Sequence, residues 1–159
     1  MVRWQDVIDS EPGFAAEVQK VFDARKHKTI ATLRADGSPR ISGVEFEFRG
    51  GDVVFGMMPR SLKARDLRRD PRTELHSASV DTPEADPMGW PGDARLSGRA
   101  VEVTDPEERR RLVDDPDATY PLFVLDIECA VRIKLDGNPP HLLVRTWRPG
   151  RPLKDAFAD

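Results

Sequence analysis

The sequence predicts a mainly β protein with peripheral helices, a small β-barrel of about seven mostly antiparallel strands. Apolar residues alternate with polar ones over most of the chain, which is typical of strands with one buried face. The pairs Asp36-Gly37 and Gly50-Gly51 separate successive runs at hairpin spacing. Three segments carry helical signals instead. The 159 residues suit one domain, so we expect a single domain over residues 1–159, with barrel closure leaving no exposed edge.

The first predicted element is a helix over residues 12–25 that covers the barrel. Ser10 suits its N-cap position and Pro12 its first turn. One face carries an apolar stripe at i, i+4, i+7 and i+8, formed by Phe14, Val18, Val21 and Phe22. The stripe predicts a helix that packs on the core and has no chemical role.

Seven segments with a period of two predict the strands of the barrel. In the second segment Val44, Phe46 and Phe48 alternate with more polar neighbours. The two glycine turns join the first three segments, which therefore form a meander. The predicted strands are residues 29–34, 40–49, 52–58, 73–80, 93–103, 122–134 and, as the last one, 141–147.

Two further helices and one long loop interrupt the strands. A short helix over residues 61–69 follows Pro59-Arg60 and ends at Asp70-Pro71. A third helix over residues 104–113 begins with a capping box that has proline in its first turn. Residues 81–92 form a loop with three prolines, and loops of this length in compact domains are often functional.

Composition excludes several classes of protein. The net charge of −3 argues against a globally basic nucleic-acid binder. No apolar run approaches the ~20 residues that cross a bilayer, and the N-terminus lacks the layout of a signal peptide. His27, His76 and His141 are scattered without metal-ligand spacing, so no metal site is expected. One cysteine excludes an internal disulfide, and we expect a soluble cytoplasmic protein.

The single cysteine, Cys129, falls in the predicted strand over residues 122–134. Ile127, Cys129, Val131 and Ile133 alternate there with polar residues, which predicts one apolar face. We therefore expect Cys129 to be a buried core thiol without a redox role.

The strongest local signal for a ligand lies at the start of the helix over residues 61–69. Residues 60–72 contain six basic and two acidic side chains, in a protein whose net charge is negative. A strand runs into a helix N-terminus here, and such a terminus offers unpaired N–H groups to an anion. Ser61 can add its hydroxyl, while Arg60 and Lys63 can add charge-assisted hydrogen bonds. The alternative is a solvated surface helix with ordinary charges.

The order of elements from residue 29 onward is a strand, the Asp36-Gly37 turn and two more strands. Ser61-x-Lys63 follows, with a short helix that ends in Asp70-Pro71. This order resembles the flavin-binding half of the pyridoxamine 5′-phosphate oxidase-like family, the FMN-binding split barrels. The similarity continues more loosely to the closing strand at residues 142–147. It implies that the barrel is a split β-barrel that binds a flavin.

The resemblance assigns site residues one by one. Ser61 and Lys63 match the stretch that holds the cofactor phosphate in the family, and Arg60 neighbours that stretch. Trp147 lies where family members often have a tryptophan near the flavin; core packing is its other interpretation. The strands that flank the ring of the cofactor match Ser42, Gly43, Val44, Glu45, Met57 and Met58.

The resemblance also implies the cofactor and the assembly. The cofactor is FMN or, alternatively, the deazaflavin coenzyme F-420, and it lies at the interface of a homodimer. The reaction transfers hydride or electrons to or from a small organic substrate. No catalytic acid or base is assigned, because the cofactor carries the redox chemistry while the protein binds and orients it.

The chain departs from the vitamin-oxidising branch of this family at three places. That branch has arginine where this chain has Leu62, basic residues where it has Ser42 and Glu47, and a substrate-binding C-terminal ending that this chain lacks. The FMN and deazaflavin branches therefore fit better than pyridoxamine phosphate oxidation. Two other functions stay open: a non-catalytic flavin carrier, and a nucleic-acid module on residues 60–72, which lack an aromatic side chain for base stacking. Neither nucleic acid nor a membrane is an expected partner.

Overall fold

The computed structural model describes residues 1–115, 117 and 119–158. Over these residues the helices are α1 (Trp4–Ser10), α2 (Pro12–Asp23), α3 (Leu62–Arg69) and α4 (Pro106–Leu112), with a 3-10 helix at Pro87–Gly89. None of them is long and apolar enough to span a bilayer. The strands are β1 (Lys28–Leu33), β2 (Pro39–Val44), β3 (Glu47–Arg49), β4 (Asp52–Gly56), β5 (Arg72–His76), β6 (Asp93–Glu102), β7 (Leu122–Asp136), β8 (His141–Trp147) and β9 (Lys154–Ala158).

These strands form one antiparallel sheet that surrounds a core. The main order is β2-β1-β5-β6-β7-β4-β3, and β8 and β9 branch off from β7. The branch is possible because β7 has 15 residues, of which the first few pair with β4 and the last seven with β8. Only residues 45 and 46 separate β2 from β3, the two ends of the main order. The predicted architecture, a mainly β split barrel with peripheral helices, is confirmed, with nine strands instead of about seven. The pairing order has ends at β2, β3 and β9, so the expectation that closure leaves no edge is wrong.

The sheet shares its hydrophobic core with the first two helices. α2 buries the predicted stripe, since Phe14, Val18, Val21 and Phe22 are at most 9% exposed. The ring of Phe22 packs edge-on against Phe46, with the ring centroids 4.9 Å apart. Burying one such side chain contributes about 1.5–3 kcal/mol to stability. α2 is therefore the core-covering helix that the sequence predicts.

A second, smaller apolar cluster lies beneath α4, on the face of β4 and β7 that points away from the core. Asp105 caps α4 by accepting a hydrogen bond from Glu108 N at 2.8 Å, one residue later than the Thr104 of the predicted capping box. The cluster fixes the chain after α4 against the sheet. Its members are Val54, Val103, Leu112, Leu122 and Val124, with Val113 and Tyr120 beside them.

The N-terminal region differs from the sequence-based expectation. α1 is not predicted, and Ser10 ends α1 instead of capping α2. Its hydroxyl donates to Asp6 O at 2.8 Å and accepts from Trp147 Nε1 at 2.9 Å. Glu11 occupies the N-cap of α2 without a side-chain capping bond, and α2 ends at Asp23, two residues before the predicted limit.

The predicted strand over residues 40–49 is two strands, because the chain changes partner in its middle. β2 pairs with β1 as far as Val44, and β3 pairs with β4 from Glu47 onward. Glu45 and Phe46 lie between the two strands and belong to neither. The alternation of buried and exposed residues continues through this break. A hydrophobic pattern reports which face is buried and carries no information about the pairing partner.

Other strand limits also differ. β4 ends at Gly56 and β5 at His76, two and four residues before the predicted limits. β9 is an additional strand after the one predicted to be last, and it pairs with β8. All five residues of β9 are exposed, so the strand has no buried face. Without a buried face, no alternation of apolar and polar residues is needed that would mark the strand in the sequence.

Cys129 is buried as predicted, but on the other face of β7. The pairing of β6 with β7 shifts register between Ser97 and Gly98, so that Glu128 is passed over. Ile127 therefore joins the core, whereas Cys129 faces the opposite side at 6% exposure. Gly98 is required at this bulge, because a Cβ atom there would meet Asp126 O at 2.0 Å. Burial raises the pKa of the Cys129 thiol, which keeps it protonated and unreactive.

Candidate functional site

A cleft of about 1250 Å³ opens beside the ends of β2 and β4. Its walls come from four parts of the chain: residues within 23–28 after α2, within 43–49 around the β2–β3 junction, within 54–59 at the end of β4, and within 112–122 after α4. Lys63 of α3 also lines it. Such a volume suits a ligand of cofactor size.

The start of α3 gathers the donors that the sequence predicts for an anion. Ser61 is the N-cap residue in an extended conformation, and its side chain makes no capping hydrogen bond. Nζ of Lys63 donates to Gly43 O at 2.7 Å, which links α3 to β2. Arg60 is exposed beside them. Since the first N–H groups of a helix lack partners within it, this corner of the cleft is rich in hydrogen-bond donors.

Five of the six residues predicted to flank a flavin ring line the cleft: Gly43, Val44, Glu45, Met57 and Met58. The backbone at Gly43 is open, because a Cβ atom built there would meet no atom within 4 Å. The Met58 side chain is 79% exposed, whereas Met57 is buried. An open glycine beside a flexible thioether offers a flat aromatic ligand a surface to lie on.

Charged groups surround the cleft on the side of the β2–β3 junction. Glu45 pairs with Lys26 Nζ at 3.2 Å and with His27 Nδ1 at 3.3 Å, and these pairs are exposed. Lys28 is different, since it is 7% exposed and its Nζ donates to Phe46 O at 3.2 Å. Burial lowers the pKa of Lys28. Among the residues described, no group of three or more His, Cys, Asp or Glu is arranged to hold a metal ion.

The remaining predicted site residues lie outside the cleft wall. Ser42 is half-buried in β2 next to Gly43, and Arg60 and Ser61 follow the lining residue Pro59. Trp147 belongs to the hydrophobic core at 3% exposure, with its Nε1 bonded to the Ser10 hydroxyl. Of its two interpretations, the structure supports core packing, and it does not bring Trp147 to the cleft with the others.

Tyr120 is a cleft residue that the sequence-based reasoning missed. Its ring lies on the backbone of Gly56, where an added Cβ atom would be 2.8 Å from a ring carbon. The guanidinium carbon of Arg109 lies 5.6 Å from the ring centroid, and the neighbouring Pro121 accepts a hydrogen bond from Met57 N. The available signal was compositional: Tyr120 is the one tyrosine of the chain, in an otherwise acidic connection.

Asp66 anchors α3 from inside. It is 4% exposed and accepts hydrogen bonds from Thr32 Oγ1 at 2.9 Å, from Arg40 Nε at 2.6 Å and from Arg69 Nη2 at 3.1 Å. Burial acts to raise the pKa of Asp66, but the three donors outweigh it and hold the pKa below its usual value. This carboxylate therefore stays ionised and joins β1, β2 and α3.

The comparison with protein families agrees with this geometry. The family model described as pyridoxamine 5′-phosphate oxidase matches residues 14–128, which include most of α2, all of α3 and the residues that line the cleft. No curated protein matches the chain significantly.

Several solved structures share the fold. A pyridoxamine 5′-phosphate oxidase-related FMN-binding protein from Nostoc punctiforme PCC 73102 has a TM-score of 0.64 at 15% identity, covering 92% of this chain and 95% of that one. A heme binding protein from Mycobacterium smegmatis has a TM-score of 0.56 at 22% identity, covering 89% and 56%. A putative 5-nitroimidazole antibiotic resistance protein from Bacteroides thetaiotaomicron VPI-5482 has a TM-score of 0.55 at 11% identity, covering 70% and 78%. At these identities the likeness shows the fold alone.

Proposed function

Because the chain belongs to the pyridoxamine 5′-phosphate oxidase family, we propose that it binds FMN in the cleft and is an oxidoreductase. It transfers hydride or electrons to or from a small organic substrate. The deazaflavin coenzyme is the alternative cofactor. The observation that carries the proposal is the start of α3, where Lys63 donates to Gly43 O at the corner of the cleft and Ser61 stands at the N-cap beside it. We call Ser61, Lys63 and the first N–H groups of α3 the phosphate clamp.

The residues of this corner fit a phosphate group. The Ser61 hydroxyl makes no capping bond, Nζ of Lys63 reaches the cleft, and the first turn of α3 presents its N–H groups. Nζ of Lys63 currently donates to a neutral carbonyl, that of Gly43. A phosphate oxygen is the stronger acceptor for this ammonium group, because its negative charge adds Coulomb attraction that a carbonyl oxygen lacks.

The rest of the cleft fits the ring of such a cofactor. The open backbone at Gly43 and the exposed Met58 side chain would flank the ring. Tyr120 packs on the backbone of Gly56, and both residues line the same cleft. A bound flavin supplies the hydride and electron chemistry. The chain binds the cofactor, orients it and shapes the space that is left for a substrate.

The side chains near the clamp support a substrate without a phosphate group. The positions where the vitamin-oxidising branch places basic residues hold Leu62, which is 52% exposed, and Ser42 and Glu47. Phosphate esters are bound best by arginine and lysine. We therefore propose a small unphosphorylated organic substrate rather than pyridoxamine phosphate.

A second copy of the chain would complete the site. Three large apolar side chains are exposed on the elements that form the corner: Ile41 at 69%, Met58 at 79% and Leu62 at 52%. Exposed apolar groups that cluster beside a ligand cleft are typical of an interaction surface. We propose a homodimer with the cofactor at its interface, as the family resemblance implies.

The test of the proposed function starts from the absorption spectrum and the mass of whatever co-purifies with the protein. We expect flavin absorption bands, the mass of FMN, and reduction of the bound flavin by a nicotinamide donor followed by reoxidation with an organic acceptor. Flavin binding without turnover with any donor would favour the carrier function. Apo protein that binds neither FMN nor the deazaflavin, but binds nucleic acid in a salt-dependent way, would contradict the proposal.

A further inference from the structure

Two hydrogen bonds join β2 to α3, and their partners are three residues apart in each of the two elements. Gly43 O accepts from Lys63 Nζ at 2.7 Å, and three residues along each element Arg40 Nε donates to Asp66 at 2.6 Å. Residues three apart on a helix share a face, so Lys63 and Asp66 both point toward β2. The first bond lies at the cleft and the second lies one turn away from it.

Asp66 is the stronger of the two anchors. Its carboxylate is buried and receives three donors, of which Thr32 in β1 is itself 2% exposed. Only three residues of α3 are buried, and two of them are the apolar residues Ala64 and Leu67. The other side-chain bonds from α3 to the sheet, those of Lys63, Arg68 and Arg69, are exposed and constrain its position weakly. A buried carboxylate with fixed donors specifies one position, because any displacement leaves a buried charge without partners.

We propose that Asp66 is a positioning residue for the phosphate clamp. It fixes the rotation and height of α3 on β1 and β2, so that the Ser61 hydroxyl, the first N–H groups of α3 and Lys63 converge on one point of the cleft. The inference rests on the proposed function, because it assigns the clamp to the phosphate of the cofactor. It goes further by making discrimination between phosphorylated and unphosphorylated flavins depend on a residue that never touches the ligand.

The ratio of FMN affinity to riboflavin affinity distinguishes a positioning role of Asp66 from a merely structural one. If Asp66 only stabilises the fold, its loss weakens the binding of FMN and of riboflavin alike, since both occupy the same cleft. If Asp66 positions the clamp, its loss weakens FMN binding alone, because riboflavin has no phosphate. The affinity for FMN divided by that for riboflavin is therefore the relevant quantity.

The experiment titrates apo protein with FMN and with riboflavin while flavin fluorescence is measured, for the wild type and for Asp66→Asn. We expect FMN binding to weaken by about tenfold or more, the effect of losing one charge-assisted hydrogen bond to the phosphate. Riboflavin binding should change by less than about twofold. Glu102→Gln is the matched control: it removes the charge of the exposed ion pair between Arg68 of α3 and Glu102 of β6, and it should leave both affinities unchanged.

A second variant covers the case that Asp66→Asn does not fold. Thr32→Val removes one neutral donor to Asp66 and keeps its ion pairs, and it should lower FMN affinity by a few-fold with riboflavin binding unchanged. Equal losses for both flavins, or an unchanged ratio, in the folded variants would overturn the positioning role. Wild-type protein that binds riboflavin as well as FMN, or neither, would instead contradict the clamp of the proposed function and the positioning role with it.

Discussion

At the scale of single residues, the site depends on donors that the fold leaves available. Ser61 stands at the N-cap of α3, yet its hydroxyl makes no capping bond, and Lys63 donates to a neutral carbonyl at the cleft. Polar groups in such positions form better hydrogen bonds with an anion than those they make in its absence. In the proposed function these donors are the ones that bind the phosphate of the cofactor.

Ser61→Ala tests this interpretation of the hydroxyl. We expect weaker FMN binding, by several-fold, because one hydrogen bond to the phosphate is lost. We expect little change in the midpoint of thermal unfolding, because the hydroxyl does not cap α3. Thermal unfolding followed by circular dichroism, together with an FMN titration, measures both quantities. A lowered midpoint with unchanged FMN affinity would mean that Ser61 has only a structural role.

Three site residues show what sequence-based reasoning at this scale can predict and what it cannot. Ser61 and Lys63 are two residues apart in sequence, so their spacing alone places them together at one helix start. Tyr120 reaches the cleft only through the packing of α4 and the strand pairing of β7 with β4. Contacts of that kind follow from tertiary structure, and local pattern does not contain them.

At the scale of elements, buried ion pairs fix how helices and strands meet. Asp52 at the start of β4 is 1% exposed and accepts from Arg3 Nε at 2.7 Å and from Arg111 Nη2 at 3.0 Å. It thereby joins the segment before α1 and the helix α4 to the sheet. Burial acts to raise the pKa of Asp52, but the two arginines outweigh it and hold the pKa below its usual value.

The sign of the pH dependence follows from that shift. Because the pKa of Asp52 is lower in the folded than in the unfolded protein, its stabilising contribution is complete above about pH 4. The contribution is lost as the pH falls through the folded-state pKa. We expect Asp52→Asn to lower the free energy of unfolding by about 2 kcal/mol at pH 7 and by less at pH 3. Urea unfolding at both pH values measures this difference.

Asp155→Asn is the control for the Asp52 prediction. Asp155 pairs with Arg145 at the surface, where ion pairs contribute little to stability. A loss for Asp52→Asn that is the same at pH 7 and pH 3 would show that the ion pairs do not cause it.

Elements were predicted well where the pairing partner and the spacing of apolar residues stay the same along the whole element. The stripe of α2 and the limits of β8 agree with the pattern of the sequence. Predictions were wrong where the partner or the period changes. Between Val44 and Glu47 the pairing partner of the chain changes from β1 to β4. The bulge opposite Gly98 places Cys129 on the other face of β7. Pairing and register are set by contacts between distant strands, which alternation within one strand does not encode.

At the scale of the whole molecule, the cleft of a single chain lies next to apolar side chains that are exposed to solvent. Ile41 lies in β2 and Met58 lies just after the end of β4, beside the residues of the proposed flavin surface. A copy of the chain packed there would bury these side chains and close the cleft from outside. The dimer and the cofactor site would then form together.

The proposed homodimer predicts that one substitution at its interface changes both the oligomeric state and the FMN affinity. Wild-type protein should have twice the chain mass of 17.9 kDa in light scattering. Ile41→Arg places a charge in the proposed interface, so we expect it to be monomeric and to bind FMN more weakly. Leu142→Arg, at an apolar residue of β8 that is 36% exposed and outside the cleft, is the control. Monomeric wild-type protein with tight FMN binding would exclude the composite site.

The most direct test of the central claim is FMN affinity after removal of the Lys63 ammonium group. Apo Lys63→Ala is titrated with FMN and compared with Lys154→Ala, which removes an exposed lysine of β9, while far-UV circular dichroism monitors the fold. A clamp at the start of α3 predicts that Lys63→Ala loses about ten- to a hundredfold in FMN affinity and that Lys154→Ala loses nothing. Unchanged FMN affinity in folded Lys63→Ala would contradict the account.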